Sequence, residues 1–268
     1  MNDSEEGEIL LDILHEPSIT DSFLRGGLSE DNNFYLGSFL PESHADELIM
    51  WRTYGKDETG SEARGCSVTI DRDFFLEDEE KRTPKAESRT EPSKRKAKDA
   101  EDAKSRIHRG LSKVIYFDKA TREFAGDEPN DIDKAVRQLR YHLLSIVGMH
   151  GNTASTRKDD SVAQAIDRVV NYVITVLRYS FKSADYSYEK EERVIWEMRP
   201  RSNRVKIDEA GPLPKRLYVE ADKPVHKHIS RIVLGPRVVY PERWLYLKVK
   251  ALKAEQATEV ATSQCKFR

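Results

Sequence analysis

Cysteine is nearly absent from this sequence, and long apolar runs are missing. Cys66 and Cys265 are the only cysteines among 268 residues, so there is neither a disulfide framework nor a paired zinc motif. No apolar run approaches the roughly 18 residues of a membrane span, and we expect no signal peptide. We therefore expect a soluble protein of the reducing cytoplasm.

Motifs that mark common nucleotide, hydrolase and zinc sites are also missing. The sequence contains no G-x-G-x-x-G, P-loop, G-x-S-x-G or H-E-x-x-H, and we expect no metal. Its net charge is −2, with 45 Lys and Arg against 47 Asp and Glu. Non-specific nucleic-acid binding needs a net basic face, so this balance argues against it as the main function.

A charged segment, residues 77–106, holds no apolar residue larger than alanine. It contains ten Lys and Arg, nine Asp and Glu, and two prolines. Such a composition cannot bury enough surface to offset its chain entropy, which predicts a disordered charged insertion. The alternative is a nucleic-acid-binding arm, which the near-equal charges disfavour.

Hydrophobic patterning predicts strands, then helices, then strands. The predicted strands are residues 34–40, 65–71, 112–118, 191–198, 216–220 and 228–235, with a last short strand within 258–267. The predicted helices are a short one from Ser43 to Gly55 capped by Ser43 and Asp46, two long ones at 131–147 and 161–182, and one after Pro241. The second long helix has its apolar stripe at Val162, Ile166, Val169, Val173 and Leu177. This order predicts an α+β fold with a two-sheet or split β core, two long helices between its halves, and a single domain over 1–268.

The segment "YSYEKEERVIW", residues 186–196, carries Glu189, Glu191 and Arg193 at two-residue spacing. In an extended chain these side chains share one face. One interpretation is a solvated strand start, where like charges cost only tenths of a kcal/mol. The other is a functional site in which Arg193 holds one carboxylate and the other meets a substrate. The spacing leaves both open.

The short helix carries a second ambiguous group. Trp51 and Tyr54 lie three residues apart, a spacing more typical of core residues than of a ligand platform. Arg52 lies off that stripe, where it is either solvated or able to reach a phosphate.

The ordered series "MNDSEEG", "SFLPESHADELIMWRTYG", "KVIYFD", "YEKEERVIW", "RIVLGPR" and "SQCKFR" resembles an uncharacterised bacterial family, domain of unknown function 2971. The series runs from Met1 to Arg268. Two features depart from the family pattern: Glu192 replaces an aromatic residue, and the sequence starts at the N-D-x-x-E element, which the family precedes with an opening strand. We expect that this strand is either encoded upstream of a start codon called late or lost. The resemblance implies a cytoplasmic bacterial protein of this family.

The order of motifs in that family is similar to that of ADP-ribosyltransferases, in which a middle strand starts with Ser and a late strand carries E-x-E. This likeness implies that NAD is a substrate and that Ser38 lies beside the nicotinamide. It further implies that Glu191 binds the nicotinamide ribose and stabilises the developing positive charge, while Glu189 positions a protein or nucleic-acid acceptor. Ligand contacts are expected from Ser38, Trp51, Arg52, Tyr54 and Arg193.

The same resemblance also fits a non-catalytic ligand- or partner-binding module of a phage-defence system. Glu189, Glu191 and Arg193 then act as a polar clamp without turnover.

Overall fold

The computed structural model describes residues 7–14, 33–57, 59–75, 107–153, 161–198, 202–209, 216–221, 223–244, 246 and 258–267. The chain divides into two compact units. The first comprises Met1–Gly37, Glu101–His108 and Ser112–Ser202, and the second comprises Ser38–Ala100, Arg109–Leu111 and Asn203–Arg268. The predicted insertion at 77–106 lies outside the described residues, and the expectation of a single domain stays a prediction.

The prediction of an α+β fold is confirmed. The strands are β1 Asn33–Phe39, β2 Cys66–Ile70, β3 Ile107–Lys113, β4 Ile115–Asp118, β5 Glu123–Ala125, β6 Phe181–Ser183, β7 Glu192–Met198, β8 Val205–Ile207, β9 Leu217–Val219, β10 Ile229–Leu234 and β11 Glu259–Thr262. The helices are α1 Ile9–Leu14, α2 Leu48–Thr53, α3 Pro129–Thr153 and α4 Ser161–Arg178, with 3-10 helices at Glu42–His44, Arg72–Phe75, Ala184–Glu189 and Val225–His228. The long helices α3 and α4 lie between the N- and C-terminal strands, as predicted. No helix within the described residues is both long and apolar enough to cross a bilayer.

Small sheets build the first unit. β4 is the central strand of one, antiparallel to β5 and parallel to β6. β7 is the central strand of another, between β1 and β3, and runs antiparallel to β3. The predicted strand 112–118 is therefore two strands. Its backbone changes partner at Val114, whose N–H donates to Glu191 O, while the next N–H, of Ile115, donates to Ser180 O.

The core of the first unit forms where α1 packs with α3, α4 and the β4 sheet. Its buried members are Ile9, Leu10, Ile13, Leu14, Phe117, Leu143, Val170, Ile174 and Phe181. The predicted stripe of α4 is wrong in part, because Val169 and Val173 are 57% and 42% exposed while Val170 and Ile174 are buried. Val169 and Val173 each directly precede a buried residue, so the apolar side of this helix is wider than one stripe and periodicity chose its exposed edge. The helix also ends at Arg178 instead of 182, because 181–183 pair with β4 as β6.

In the second unit, β10 lies between β2 and β11, antiparallel to the former and parallel to the latter. A separate hairpin joins β8 and β9. The core contains Trp51, Ala63 and Val233, with Cys265 and Phe267 packed against it. The predicted helix from Ser43 to Gly55 is a 3-10 turn followed by the six-residue α2, whose N-cap Glu47 makes no side-chain capping bond.

Asp46 does not cap a helix as predicted but fastens the C-terminal segment, residues 263–267. Its Oδ1 accepts hydrogen bonds from Trp51 Nε1 at 2.8 Å and Ser263 Oγ at 2.5 Å, and its Oδ2 accepts one from Gln264 N at 2.7 Å. Burial raises the pKa of Asp46, but these three bonds outweigh it and lower the pKa below the ordinary value. The carboxylate thus joins two segments more than 200 residues apart in sequence.

Two backbone segments cross closely beside Gly235. Its N–H donates to Gly65 O at 2.9 Å, and Arg237 N–H donates to Ala63 O at 3.0 Å. A Cβ at Gly235 would lie 2.5 Å from Ala63 O and 2.9 Å from Gly65 O. Only glycine allows this approach, because carbonyl oxygens of the main chain cannot swing aside.

We expect Gly235→Ala to lower the free energy of unfolding by about 2 to 3 kcal/mol, because the added methyl forces the crossing segments apart. Urea denaturation followed by circular dichroism measures it. Gly148→Ala within α3 is the matched control, since its Cβ meets no atom within 4 Å and alanine favours a helix by up to about 1 kcal/mol. Equal stability of the two variants would contradict the prediction.

Candidate functional site

The polar segment singled out in the sequence is not a continuous strand but the end of a 3-10 helix followed by the start of a strand. Glu189 ends the 3-10 helix Ala184–Glu189, which Ser183 caps through its side chain. Lys190 then adopts the left-handed conformation, with φ 47°, and β7 begins only at Glu192. The extended-chain interpretation is therefore wrong for Glu189. The carboxylates of Glu189 and Glu191 nevertheless both bind the same amine.

That amine belongs to Lys182 of β6. Its Nζ donates to Glu189 Oε2 at 2.6 Å and to Glu191 Oε2 at 3.0 Å. Arg193 donates to both oxygens of Glu191, from Nε at 2.7 Å and from Nη2 at 3.1 Å. Its Nη1 donates to the carbonyl of Tyr179 at 2.6 Å. We call Lys182, Glu189, Glu191 and Arg193 the Lys182 cluster.

The Lys182 cluster is buried. Its residues are 8%, 2%, 2% and 3% exposed in chain order, which rules out the solvated strand start. Two cations and two carboxylates balance in charge when all four are ionised. Because removing each ion from water costs several kcal/mol, the burial is tolerable only with this pairing and the added hydrogen bonds.

Burial and pairing act on the pKa of Lys182 in opposite directions. Burial lowers it, whereas hydrogen bonds to Glu189 and Glu191 raise it and outweigh the burial. The net effect is a pKa above the ordinary value of lysine. The ammonium form therefore persists throughout the physiological range.

Two tyrosines contact the Lys182 cluster. Tyr116 of β4 is the register partner of Lys182, and its hydroxyl accepts a hydrogen bond from Glu191 N at 2.8 Å. Burial raises the pKa of Tyr116, and the charge of Glu191 raises it further. The ammonium of Lys182 lies 4.7 Å from the ring centroid of Tyr186. The side chain of Lys182 is 10% exposed, against 3% for each of its two glutamates, so it is the least enclosed side chain of the three.

The remaining predicted site residues belong to the second unit. Trp51 is 3% exposed and packs in the core there, as the core interpretation of its spacing predicts, whereas Tyr54 is 52% exposed. Ser38 is exposed on β1. Arg52 is exposed and lies over the ring of Phe267, with Cζ 5.6 Å from the centroid. Of these four residues, Arg52 contacts Phe267, which also packs against the core that contains Trp51.

Lys182 and Tyr116 are members of the site that sequence reasoning missed. Lys182 follows α4 in "YSFKSAD" and belongs to a three-residue strand, too short for an alternation pattern. Tyr116 lies beside Lys182 because β4 and β6 pair in parallel, and no local sequence pattern predicts that pairing. Among the described residues, no group of three or more His, Cys, Asp or Glu could hold a metal ion.

The fold and this site define an α+β protein with a buried cluster of two carboxylates, one lysine and one arginine. The sequence model of the family described as "Protein of unknown function (DUF2971)" matches residues 50–194, more than half of the chain. The chain belongs to this family, which confirms the resemblance over that range. The match includes Trp51 and the segment from Glu189 to Arg193. No curated protein and no solved structure matches the chain.

Proposed function

We propose that this chain is an NAD-using, ADP-ribosyltransferase-like protein of bacterial toxicity or phage defence, with Glu191 at the reacting end of its site. The observation that carries the proposal is the burial of two carboxylates two residues apart against fixed cations. A carboxylate held away from water acts more strongly on a developing positive charge than one in solvent. The matching family range includes both carboxylates.

In the proposed reaction, the bond between the nicotinamide nitrogen and ribose C1′ breaks, and its electron pair stays on the nicotinamide, which leaves neutral. Glu191 accepts a hydrogen bond from a ribose hydroxyl and stabilises the oxocarbenium-like ribose. Glu189 positions the acceptor, a protein or nucleic-acid nucleophile that bonds to C1′ and loses its proton. Ser38 beside the nicotinamide stays a prediction.

Lys182 has to move for this chemistry. Both oxygens of Glu191 already accept hydrogen bonds from Arg193, and Oε2 also accepts one from Lys182. Arg193 is anchored at a second point by the Tyr179 carbonyl, whereas Lys182 is a flexible chain with a compact charge. We therefore assign the displacement to Lys182, with Arg193 keeping Glu191 in place.

We expect wild-type protein with NAD and cell lysate to release nicotinamide, and Glu191→Asp to lower that release at least about a hundredfold. Aspartate keeps the charge balance of the cluster but withdraws the carboxylate by one methylene. Glu191→Gln should lose release as well while NAD still binds. Chromatography measures the nicotinamide, and circular dichroism verifies that each variant is folded.

Glu192→Gln is the matched control, a neighbouring buried carboxylate outside the Lys182 cluster, and should release nicotinamide like the wild type. Equal release by wild type and folded Glu191→Asp would overturn the assignment of Glu191.

The second candidate function is a non-catalytic binding module. It is favoured by the pairing of both carboxylates with Lys182 and Arg193, an arrangement already stable without a reacting group. This function predicts that NAD raises the melting temperature while no nicotinamide appears. Release that depends on Glu191 would exclude it.

A further inference from the structure

Two arginines from distant parts of the second unit converge on one aromatic ring. Arg52, at the end of α2, and Arg237, just after β10, each place Cζ 5.6 Å from the ring centroid of Phe267. Both arginines are exposed, and the ring is half-buried. The two guanidinium groups therefore lie no further apart than twice that distance.

The backbone fixes this convergence. Arg237 follows the close crossing at Gly235, where its own N–H donates to Ala63 O at 3.0 Å. Arg52 follows Trp51, whose indole bonds to Asp46, and Asp46 in turn binds Ser263 and Gln264 ahead of Phe267. The segments that carry Phe267 and both arginines are thus each held by hydrogen bonds. The fold therefore brings the two positive charges to the same ring.

Among the residues that the structure describes, no carboxylate pairs with either of these arginines. Within the described part of the chain, each guanidinium contacts the Phe267 ring, and neither has a carboxylate within 4.0 Å. A neighbouring basic group, Arg64, is in contrast paired with Asp57 at 3.2 Å. Two like charges held together without a counter-charge attract an anion from solution.

We propose that Arg52 and Arg237, mounted on Phe267, form a binding site for the pyrophosphate group of a nucleotide. The cation–π contact with the ring places each guanidinium beside Phe267, and the exposed N–H groups remain available for bidentate bonds to phosphate oxygens. Two linked phosphates can engage two separate forks. A long nucleic acid is disfavoured, because it needs a broader basic surface than two arginines on a chain of net charge −2. The proposal concerns the second unit and is independent of nicotinamide release.

The test is titration calorimetry of the full chain with inorganic pyrophosphate, with ADP, and with a short single-stranded DNA. We expect pyrophosphate and ADP to bind, and Arg52→Gln and Arg237→Gln each to weaken both about tenfold or more. Arg52→Lys keeps the charge but loses the planar fork, so it should also bind more weakly. Higher salt should reduce the affinity, since the arginines are exposed.

Arg243→Gln is the matched control, because Arg243 is also exposed and lies 4.5 Å from the ring centroid of Tyr240, which no second described arginine contacts. It should bind pyrophosphate like the wild type. Two results would overturn the proposal: no binding of pyrophosphate at millimolar concentration, or equal weakening by the control and the two site variants. Binding of the DNA without pyrophosphate or ADP would replace it with nucleic-acid recognition.

Discussion

Replacing Lys182 by methionine is expected to lower the free energy of unfolding by about 3 to 5 kcal/mol, the usual cost of removing one partner from a buried ion pair. The change leaves Glu189 and Glu191, each 2% exposed, with one cation of the cluster gone. Methionine fills most of the lysine volume, so the loss measures charge more than packing. Urea denaturation followed by circular dichroism gives the value.

The control for this prediction is Lys113→Met in the same unit. Lys113 lies 4.0 Å from Asp127, and the two side chains are 80% and 96% exposed, so the loss should stay below about 0.5 kcal/mol. In the double variant Lys182→Met with Glu189→Gln, part of the lost stability should return, because the uncompensated carboxylate is neutralised. If Lys182→Met and Lys113→Met lost the same small free energy of unfolding, Lys182 would contribute no net stability through the Lys182 cluster.

The pH dependence of unfolding provides a second readout of Lys182. Its folded pKa is raised above the ordinary 10.5, so its contribution is fully present below about 10.5 and is lost as pH rises through the folded pKa. Wild type should therefore lose stability more steeply than Lys182→Met in strongly alkaline solution. Near neutral pH the difference between them should be constant.

Sequence periodicity located the longer elements but missed several short ones and the interactions that join distant segments. β7 and the long helices were predictable because their apolar patterns are long. β6 was missed because three residues show no alternation, and its parallel partner β4 lies more than 60 residues earlier. Without β6, Lys182 could not be placed beside Glu189 and Glu191.

The site prediction failed for a related reason. The two-residue spacing of Glu189 and Glu191 indicated a shared strand face, but the left-handed Lys190 separates a 3-10 helix from a strand. A non-glycine residue at positive φ leaves little local signal. The carboxylates meet nevertheless, because a lysine from outside the segment binds both.

Asp46→Asn is expected to lower the free energy of unfolding by about 2 to 3 kcal/mol, because hydrogen bonds to a charged acceptor contribute about 1.5 to 3 kcal/mol each. An asparagine oxygen can keep the bonds from Trp51 and Ser263, but its NH₂ then faces the N–H of Gln264, which is also a donor. The attachment of residues 263–267 to Asp46 is thereby weakened. Fluorescence of Trp51, whose indole bonds to Asp46, and urea denaturation report the change.

The charge of Asp46 gives this prediction a pH signature. Its folded pKa is lowered, so its contribution is present above the ordinary value of 3.8 and is lost as pH falls through the folded pKa. The stability difference between wild type and Asp46→Asn should therefore be full at neutral pH and shrink in acid. Asp73→Asn is the control: Asp73 pairs with His228 at 3.2 Å, but its side chain is 66% exposed, so the change should cost below about 1 kcal/mol. A wild-type advantage that persists unchanged in acid would mean that packing, and not the ionised carboxylate, fastens residues 263–267.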